Sequence, residues 1–193
     1  MESTGNFKLR PDGKISRCFH ELGISGFEQA INFIRHLPYR RNTDKDNLLT
    51  VFSEGCGTCG TKHAVLKALA EENDHGELKL VVGMFRMNSR NTPQVGHILQ
   101  QAGLAYLPEA HCYLKTGKHI IDATTVSSDP SDFSDDMMAE LEISPDQVGT
   151  YKVQYHRGFI DSWLRQNPQV TYSLDELWQI REKCILQMSV ATT

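Results

Sequence analysis

The sequence lacks any long apolar run, and this absence limits where the protein can act. No stretch of its 193 residues approaches the ~20 apolar residues that a membrane-spanning helix requires. The segment from Met1 to Asn6 also lacks the basic and apolar parts of a secretory signal. We therefore expect a cytoplasmic protein that has no membrane partner.

An excess of positive charge is also missing. The formal net charge is -4, and no long run of lysine and arginine interrupts the sequence. Such a chain has no basic field to attract a phosphate backbone, so nucleic acid is disfavoured as a partner. Hydrophobic residues make up 39% and charged residues 23%, which is typical of a globular protein.

The cysteines do not form a disulfide framework. There are five, an odd number, scattered through a chain large enough to fold without covalent staples. A reducing compartment therefore suits them best, with at least one thiol free. The length predicts a single domain over residues 1–193, with residues 1–14 as a polar tail.

Apolar periodicity predicts alternating helices and strands. Residues after Ser25 have helical spacing up to Pro38, which ends the helix. A second helix begins after Thr58 and is apolar on most sides, so we expect it to be buried. The remaining pattern predicts a strand over Leu78–Met84, a hairpin over residues 110–123, and helical structure after Ser134.

Cys59 is the most informative residue. It lies in the run from Gly55 to Lys62 and falls in the first turn of the predicted buried helix. Unpaired N–H groups and the positive end of the helix dipole favour a thiolate there. A neighbouring imidazolium would lower the pKa of the thiol further. This position is typical of a nucleophilic cysteine.

The hairpin supplies the two partners that such a nucleophile needs. If Thr116 and Gly117 are the turn residues, Leu114 pairs with His119 and His111 lies directly opposite Asp122. Opposed residues share a sheet face with Cβ atoms about 4.5–5.5 Å apart. One ring nitrogen of His111 would then donate to Asp122, leaving the other free. A shift of one residue would separate the pair.

These residues resemble the papain-like and transglutaminase-like cysteine enzyme superfamily over roughly residues 45–125. The run from Cys56 to Cys59 is similar to the papain group's motif, in which the second cysteine is the nucleophile. The order Cys59, His111, Asp122 is more similar to the transglutaminase-like branch. Gly60 and Tyr113 replace bulkier residues common in the family, and neither change removes a catalytic group.

The resemblance implies an α+β fold in which the helix bearing the nucleophile packs on an antiparallel sheet. It implies that Cys59 is the nucleophile, His111 the general base and acid, and Asp122 the orienting carboxylate. The expected activity is acyl transfer, by hydrolysis or transamidation, on a peptide, amide or other acyl substrate, without a cofactor. Oxyanion donors would be the Cys59 N–H and one side chain, for which Asn47, Ser53 and Asn88 are candidates.

Other interpretations of the same residues stay open. Cys56 and Cys59 could form a redox pair, or bind structural zinc with His111 and Cys112, or with His63 one turn along the helix. The domain could also keep this fold for binding alone, without catalysis. Asp122 could simply cap the turn that follows it. Glu109, on the same strand face as His111, is expected to be a solvated carboxylate at the rim of the site.

Overall fold

An antiparallel sheet of four strands forms the centre of an α+β fold, in a computed structural model that describes residues 6–190. The strands are β1 (Lys79–Met87), β2 (Leu107–Thr116), β3 (His119–Ile121) and β4 (Met137–Ile143), and they lie in the order β3-β2-β1-β4. The helices are α1 (Lys14–Glu21), α2 (Phe27–His36), α3 (Thr50–Ser53), α4 (Cys59–Glu72), α5 (Gly96–Gln101), α6 (Ser131–Ser134), α7 (Thr150–Gln166) and α8 (Leu174–Val190). The predicted α+β class is confirmed.

Both faces of the sheet are covered. Alternate residues of a strand point to opposite faces, and those of β1 belong to two different apolar clusters. Leu80 and Val82 pack with α1, α2 and α4. Val81 and Phe85 pack with residues of α7 and α8 such as Trp163. The sheet therefore lies between the helix that carries Cys59 and the two C-terminal helices.

Helix α4 confirms the predicted buried helix. Every residue from Cys59 to Lys67 is buried, as are Leu69 and Ala70. The helix contacts β2, the strand that carries His111, and it also packs against α1 and α2. A helix that is apolar on most sides is stable only when neighbours surround it, and this packing fixes the position of its first turn against the sheet.

The predicted hairpin forms, but its register differs from the prediction by two residues. Leu114 pairs with Ile121, not with His119, so Gly117 and Lys118 are the turn residues. Gly117 has a φ of 57°, and a positive φ at the first central position is what a type II′ turn requires. Because side chains alternate with a period of two, a shift of two residues leaves each side chain on its original face.

The segment after Ser134 was predicted to be helical throughout, and this was wrong for β4. Its sequence, Met-Met-Ala-Glu-Leu-Glu-Ile, consists mostly of residues that favour helices in isolation. Pairing with β1 along the sheet overrides that preference: Leu80 pairs with Ile143 and Val82 with Leu141. Strand propensity depends mainly on such packing.

Residues 6–14 do not form the polar tail that was predicted for residues 1–14. Residues 1–5 lie outside the part of the chain that the structure describes. The Leu9 side chain is buried, and its N–H donates to the Ser25 carbonyl over 2.9 Å. Lys8 pairs with Gly26 in an isolated antiparallel bridge. One apolar side chain and two backbone contacts thus join this segment to the start of α2.

The helices described over residues 6–190 include none that is both long enough and apolar enough to cross a lipid bilayer.

Candidate active site

Cys59 is the first residue of α4, as predicted. The preceding residue, Thr58, has an extended backbone (φ −89°, ψ 173°) and serves as the N-cap. The Thr58 N–H donates to the Thr61 hydroxyl over 3.1 Å, which fixes the entry of the chain into the helix. Cys59 as a whole is only 6% exposed, yet it lines two cavities.

The surroundings of Cys59 favour the thiolate. A hydrogen bond from the Cys112 thiol lowers the pKa of Cys59, whereas burial raises it. The ammonium of Lys152, whose Nζ lies 3.6 Å from the sulfur, and the ring of His111 lower it further. The pKa of Cys59 is consequently held well below its usual range. Lys152 comes from α7, 93 residues along the chain, and sequence reasoning missed it.

His111 lies on β2 with its ring directed at Asp122. Its Nε2 is 2.8 Å from Oδ2 of Asp122, so Nδ1 is the nitrogen available to the thiol. Burial lowers the pKa of His111, but the charges and hydrogen bonds of Asp122 and Cys59 outweigh it and raise the value to about 10. The ring packs between Phe133 and Phe85, at centroid distances of 4.8 Å and 6.3 Å. The structure therefore brings Cys59, His111 and Asp122 together.

Asp122 both orients His111 and caps a turn. While Oδ2 bonds the His111 ring, Oδ1 accepts hydrogen bonds from the Thr124 N–H (2.9 Å) and the Thr124 hydroxyl (2.5 Å). Burial raises the pKa of this carboxyl, but His111 and the hydrogen bonds hold it well below its usual range. The two interpretations of Asp122 from the sequence are therefore compatible, since each uses a different oxygen.

His63 links Cys59 to the segment that carries Asp122. Its Nε2 accepts the Ala123 N–H over 2.7 Å, so Nδ1 carries the proton and donates to the Cys59 carbonyl, also over 2.7 Å. Burial lowers the pKa of His63 and favours this neutral form. Both nitrogens are thus committed, and neither is available as the zinc ligand that was considered.

The other cysteines do not assemble a metal site with any residue of the described part of the chain. Among residues 6–190, no group of three or more histidine, cysteine, aspartate or glutamate side chains is arranged to hold an ion. The Cys56 sulfur accepts a hydrogen bond from Arg40 Nε over 3.4 Å, and its carbonyl accepts one from Asn42 over 3.0 Å. All five thiols are free. The contacts of Cys56 are those of a packing residue.

The three residues considered as the second oxyanion donor do not line either cavity beside Cys59. Asn47 accepts the Leu49 N–H, and the amide of Asn88 donates to the Arg86 carbonyl and Asp136, so both serve turns. Ser53 is exposed at the end of α3. These candidates were wrong because loop sequence does not reveal where a side chain points.

Tyr39 supplies a hydroxyl-bearing side chain beside Cys59. It lines both cavities with Cys59, and within the described chain its hydroxyl has no hydrogen-bond partner. A short parallel bridge between Tyr39 and Gly57 brings it there. A Cβ on Gly57 would lie 2.9 Å from the Thr61 hydroxyl oxygen, so the close approach of this loop to α4 requires glycine.

The larger cavity, of about 410 Å³, opens on the His111 side of the thiol. Its walls combine the apolar side chains of Phe85, Met87 and Phe133 with amide and hydroxyl groups from the loops at residues 91–94 and 124–128. A concave site with apolar walls and a few convergent polar groups is typical of small-molecule and peptide binding. The loop after β1 contributes Asn91 and Thr92 to this wall.

Glu109 is not the solvated carboxylate that was predicted. Its side chain is buried and makes a two-pronged ion pair with Arg181 of α8, at 2.9 Å and 2.6 Å. The Arg181 guanidinium also lies 5.1 Å from the centroid of the Trp178 ring. The partner is 72 residues away in sequence, so nothing near Glu109 in the chain indicates the pairing.

Comparison with known proteins gives no further guide to the activity. No family model matches the sequence, and no match is found among curated proteins or solved structures. The assignment of a function therefore depends on the geometry of the site.

Proposed function

We propose that this protein transfers acyl groups through a thioester formed on Cys59, within a papain-like or transglutaminase-like core. The observation that supports this most strongly is the chain of contacts from the Cys59 thiol to His111 and from His111 to Asp122. A thiolate at a helix start, beside an imidazolium fixed by a carboxylate, is the arrangement used by cysteine nucleophiles.

In the first step the Cys59 thiolate attacks the carbonyl carbon of the substrate. A carbon–sulfur bond forms and the carbonyl π electrons move to oxygen, giving a tetrahedral oxyanion. The Cys59 N–H at the start of α4 and the Tyr39 hydroxyl are the donors proposed to stabilise it. His111 then gives its proton to the departing nitrogen or oxygen, the bond to the leaving group breaks, and a thioester remains.

In the second step a water molecule or an amine attacks the thioester. His111, now neutral, accepts the proton of the attacking group, and the carbon–sulfur bond breaks to restore the Cys59 thiolate. Water gives hydrolysis and an amine gives transamidation. Asp122 keeps the ring oriented throughout and stabilises its charged form. Every group proposed for the two steps belongs to this chain, and no cofactor is invoked.

The substrate we propose is a peptide, amide or other acyl compound whose leaving group occupies the larger cavity. A reducing compartment, such as the cytoplasm, suits the reaction because an oxidised Cys59 could not attack a carbonyl. All five thiols are free, which agrees with such a compartment.

The experiment uses p-nitrophenyl acetate as an acyl donor. We expect a burst of p-nitrophenol, and peptide mapping after an acid quench should place the acetyl group on Cys59. Hydroxylamine should remove it, as it does a thioester. Cys59→Ser should abolish the burst, whereas the control Cys18→Ser, which removes a thiol on α1, should keep it.

An acetyl group found on lysines or on Cys18, with no burst in the wild-type protein, would contradict the proposal. Asp122→Asn should slow the burst by at least about a hundredfold, because the ring loses the partner that fixes its orientation. A burst of unchanged rate in this variant would remove Asp122 from the mechanism.

A further inference from the structure

A second, smaller cavity adjoins Cys59 on the side away from Asp122. Its volume is about 60 Å³, enough for a small polar group but not for a whole substrate. The loop after α2, strand β2 and helices α7 and α8 surround it, and it shares Tyr39, Cys59 and Glu109 with the larger cavity. A substrate whose carbonyl lies at the thiol could therefore extend into both.

Four cationic side chains line this small space: Arg41, Lys45, Lys152 and Arg181. The two arginines are paired with carboxylates. Arg41 contacts Glu182 at 2.7 Å, and Arg181 contacts both Glu109 and Glu182. These pairs are built into the wall and hold the arginines in place.

Within residues 6–190, neither lysine has a carboxylate within ion-pair distance. Lys45 is half-buried and forms no hydrogen bond and no ion pair within residues 6–190. The Lys152 ammonium contacts the Cys59 sulfur at 3.6 Å, and no carboxylate of the described chain lies within ion-pair distance of it. Burial, followed by the charges of Arg41 and Lys152, lowers the pKa of Lys45. An ammonium held among other cations without a counter-ion is a binding site for an anion.

The charges indicate which anion fits. The two arginines are balanced by Glu109 and Glu182, and the Cys59 thiolate balances Lys152. One positive charge, that of Lys45, remains. A carboxylate carries one negative charge and would neutralise the cavity. A doubly charged phosphate would instead leave one unbalanced negative charge in a partly desolvated space.

We propose that the small cavity binds a carboxylate of the acyl substrate, held by Lys45 and Lys152. The acyl group transferred by Cys59 would then carry a carboxylate a few bonds from the reacting carbonyl. This inference rests on the proposed function, since it takes Cys59 as the nucleophile. It adds a substrate class, acyl compounds with a free carboxylate, that the triad alone does not define.

Two alkylating agents of similar size test this inference. Iodoacetate carries a carboxylate and iodoacetamide a neutral amide, and with each the Cys59 thiolate displaces iodide and forms a carbon–sulfur bond. The quantity measured is the rate of reaction with iodoacetate divided by the rate with iodoacetamide. It is determined at Cys59 by peptide mass mapping, and the same ratio at Cys18 serves as an internal reference. We expect the ratio at Cys59 to exceed that at Cys18 by about tenfold.

Variants then locate the effect. Lys45→Gln should lower the ratio at Cys59 about tenfold. Lys45→Arg keeps the positive charge and should retain most of the wild-type ratio. The matched control Lys118→Gln removes the same charge from the exposed hairpin turn and should keep the wild-type ratio. At about pH 8, where phosphate is mostly doubly charged, acetate should protect Cys59 from iodoacetate better than inorganic phosphate does at equal ionic strength.

The outcomes separate this inference from the proposed function. Slow reaction of wild-type Cys59 with iodoacetamide would contradict the nucleophile itself. Fast reaction with iodoacetamide, together with a ratio that Lys45→Gln leaves unchanged, would overturn the carboxylate site alone. Stronger protection by phosphate than by acetate would also overturn it, because the charge balance requires a singly charged group.

Discussion

The Nε2 atom of His111 lies 2.8 Å from Oδ2 of Asp122, and the two side chains are only 15% and 3% exposed. The pair therefore interacts with little screening by solvent, which makes its contribution to stability depend on pH. The pKa of His111 rises from 6.5 to about 10 on folding, and that of Asp122 falls from 3.8.

The first prediction concerns this pH dependence. The stabilisation from His111 is complete below pH 6.5 and is lost as the pH rises to about 10, whereas that from Asp122 is lost as the pH falls below 3.8. His111→Gln should therefore lower the free energy of unfolding by about 3 kcal/mol near pH 6, as expected for a broken buried pair. The loss should shrink steadily towards pH 10.

Urea unfolding of both proteins from pH 5 to pH 9.5 measures this difference. The control is His97→Gln, which replaces an exposed histidine of α5 and should have a small effect at every pH. A loss that stays constant over the whole range for His111→Gln would show that the pair does not form.

The second prediction concerns Lys152 and the thiolate. Lys152→Met should raise the pKa of Cys59, because the nearby ammonium stabilises the negative sulfur. Iodoacetamide should then react with Cys59 about tenfold more slowly at pH 6, which corresponds to a pKa rise of about one unit. Lys152→Arg keeps the charge and should retain most of the wild-type rate. Equal rates in the Met and Arg variants would exclude an electrostatic role.

The third prediction concerns Cys112, whose thiol lowers the pKa of Cys59 by hydrogen bonding to its sulfur. Cys112→Ala removes the donor and should raise the pKa of Cys59 by about one unit, since a hydrogen bond to a charged group contributes about 1.5 kcal/mol. Cys112→Ser keeps a donor and should leave the pKa low. The pH profile of alkylation at Cys59 measures both.

A control variant, Cys184→Ala, removes an equally buried thiol from the other face of the sheet. This variant should leave the pH profile of alkylation at Cys59 unchanged. If Cys112→Ala behaves like this control, the low pKa must come from Lys152, His111 and the helix start alone.

The fourth prediction concerns the buried ion pair between Glu109 and Arg181. Arg181→Met should lower the free energy of unfolding by about 3–5 kcal/mol, because Glu109 is left charged and buried. The double variant with Glu109→Gln should recover part of this loss. Chemical unfolding of the two single variants and the double variant gives the coupling energy.

Arg165→Met provides the matched comparison, since Arg165 pairs with Asp161 on the exposed face of α7 with 78% of its side chain exposed. Exposed pairs contribute about 0.5 kcal/mol. An Arg181→Met variant no less stable than Arg165→Met would mean that water reaches the Glu109 carboxylate.

Local signals in the sequence determined the parts of the site that depend on neighbouring residues. The N-cap Thr58 and the apolar run after it place Cys59 in the first turn of α4, because helix starts depend on a few adjacent backbone and side-chain groups. The alternation along the hairpin placed His111 and Asp122 on one face. That placement survived an error of two residues in the register because strand side chains repeat every second residue.

Only the tertiary structure decided the rest. The type II′ turn at Gly117 set the true register, and pairing with β1 made β4 a strand despite its helical composition. Lys152 and Arg181 reach the site from helices 93 and 72 residues beyond their partners. Contacts over such separations are set by how helices pack on the sheet, which no local pattern encodes. The sequence thus specified where Cys59, His111 and Asp122 lie in their elements, and packing supplied the charges that surround them.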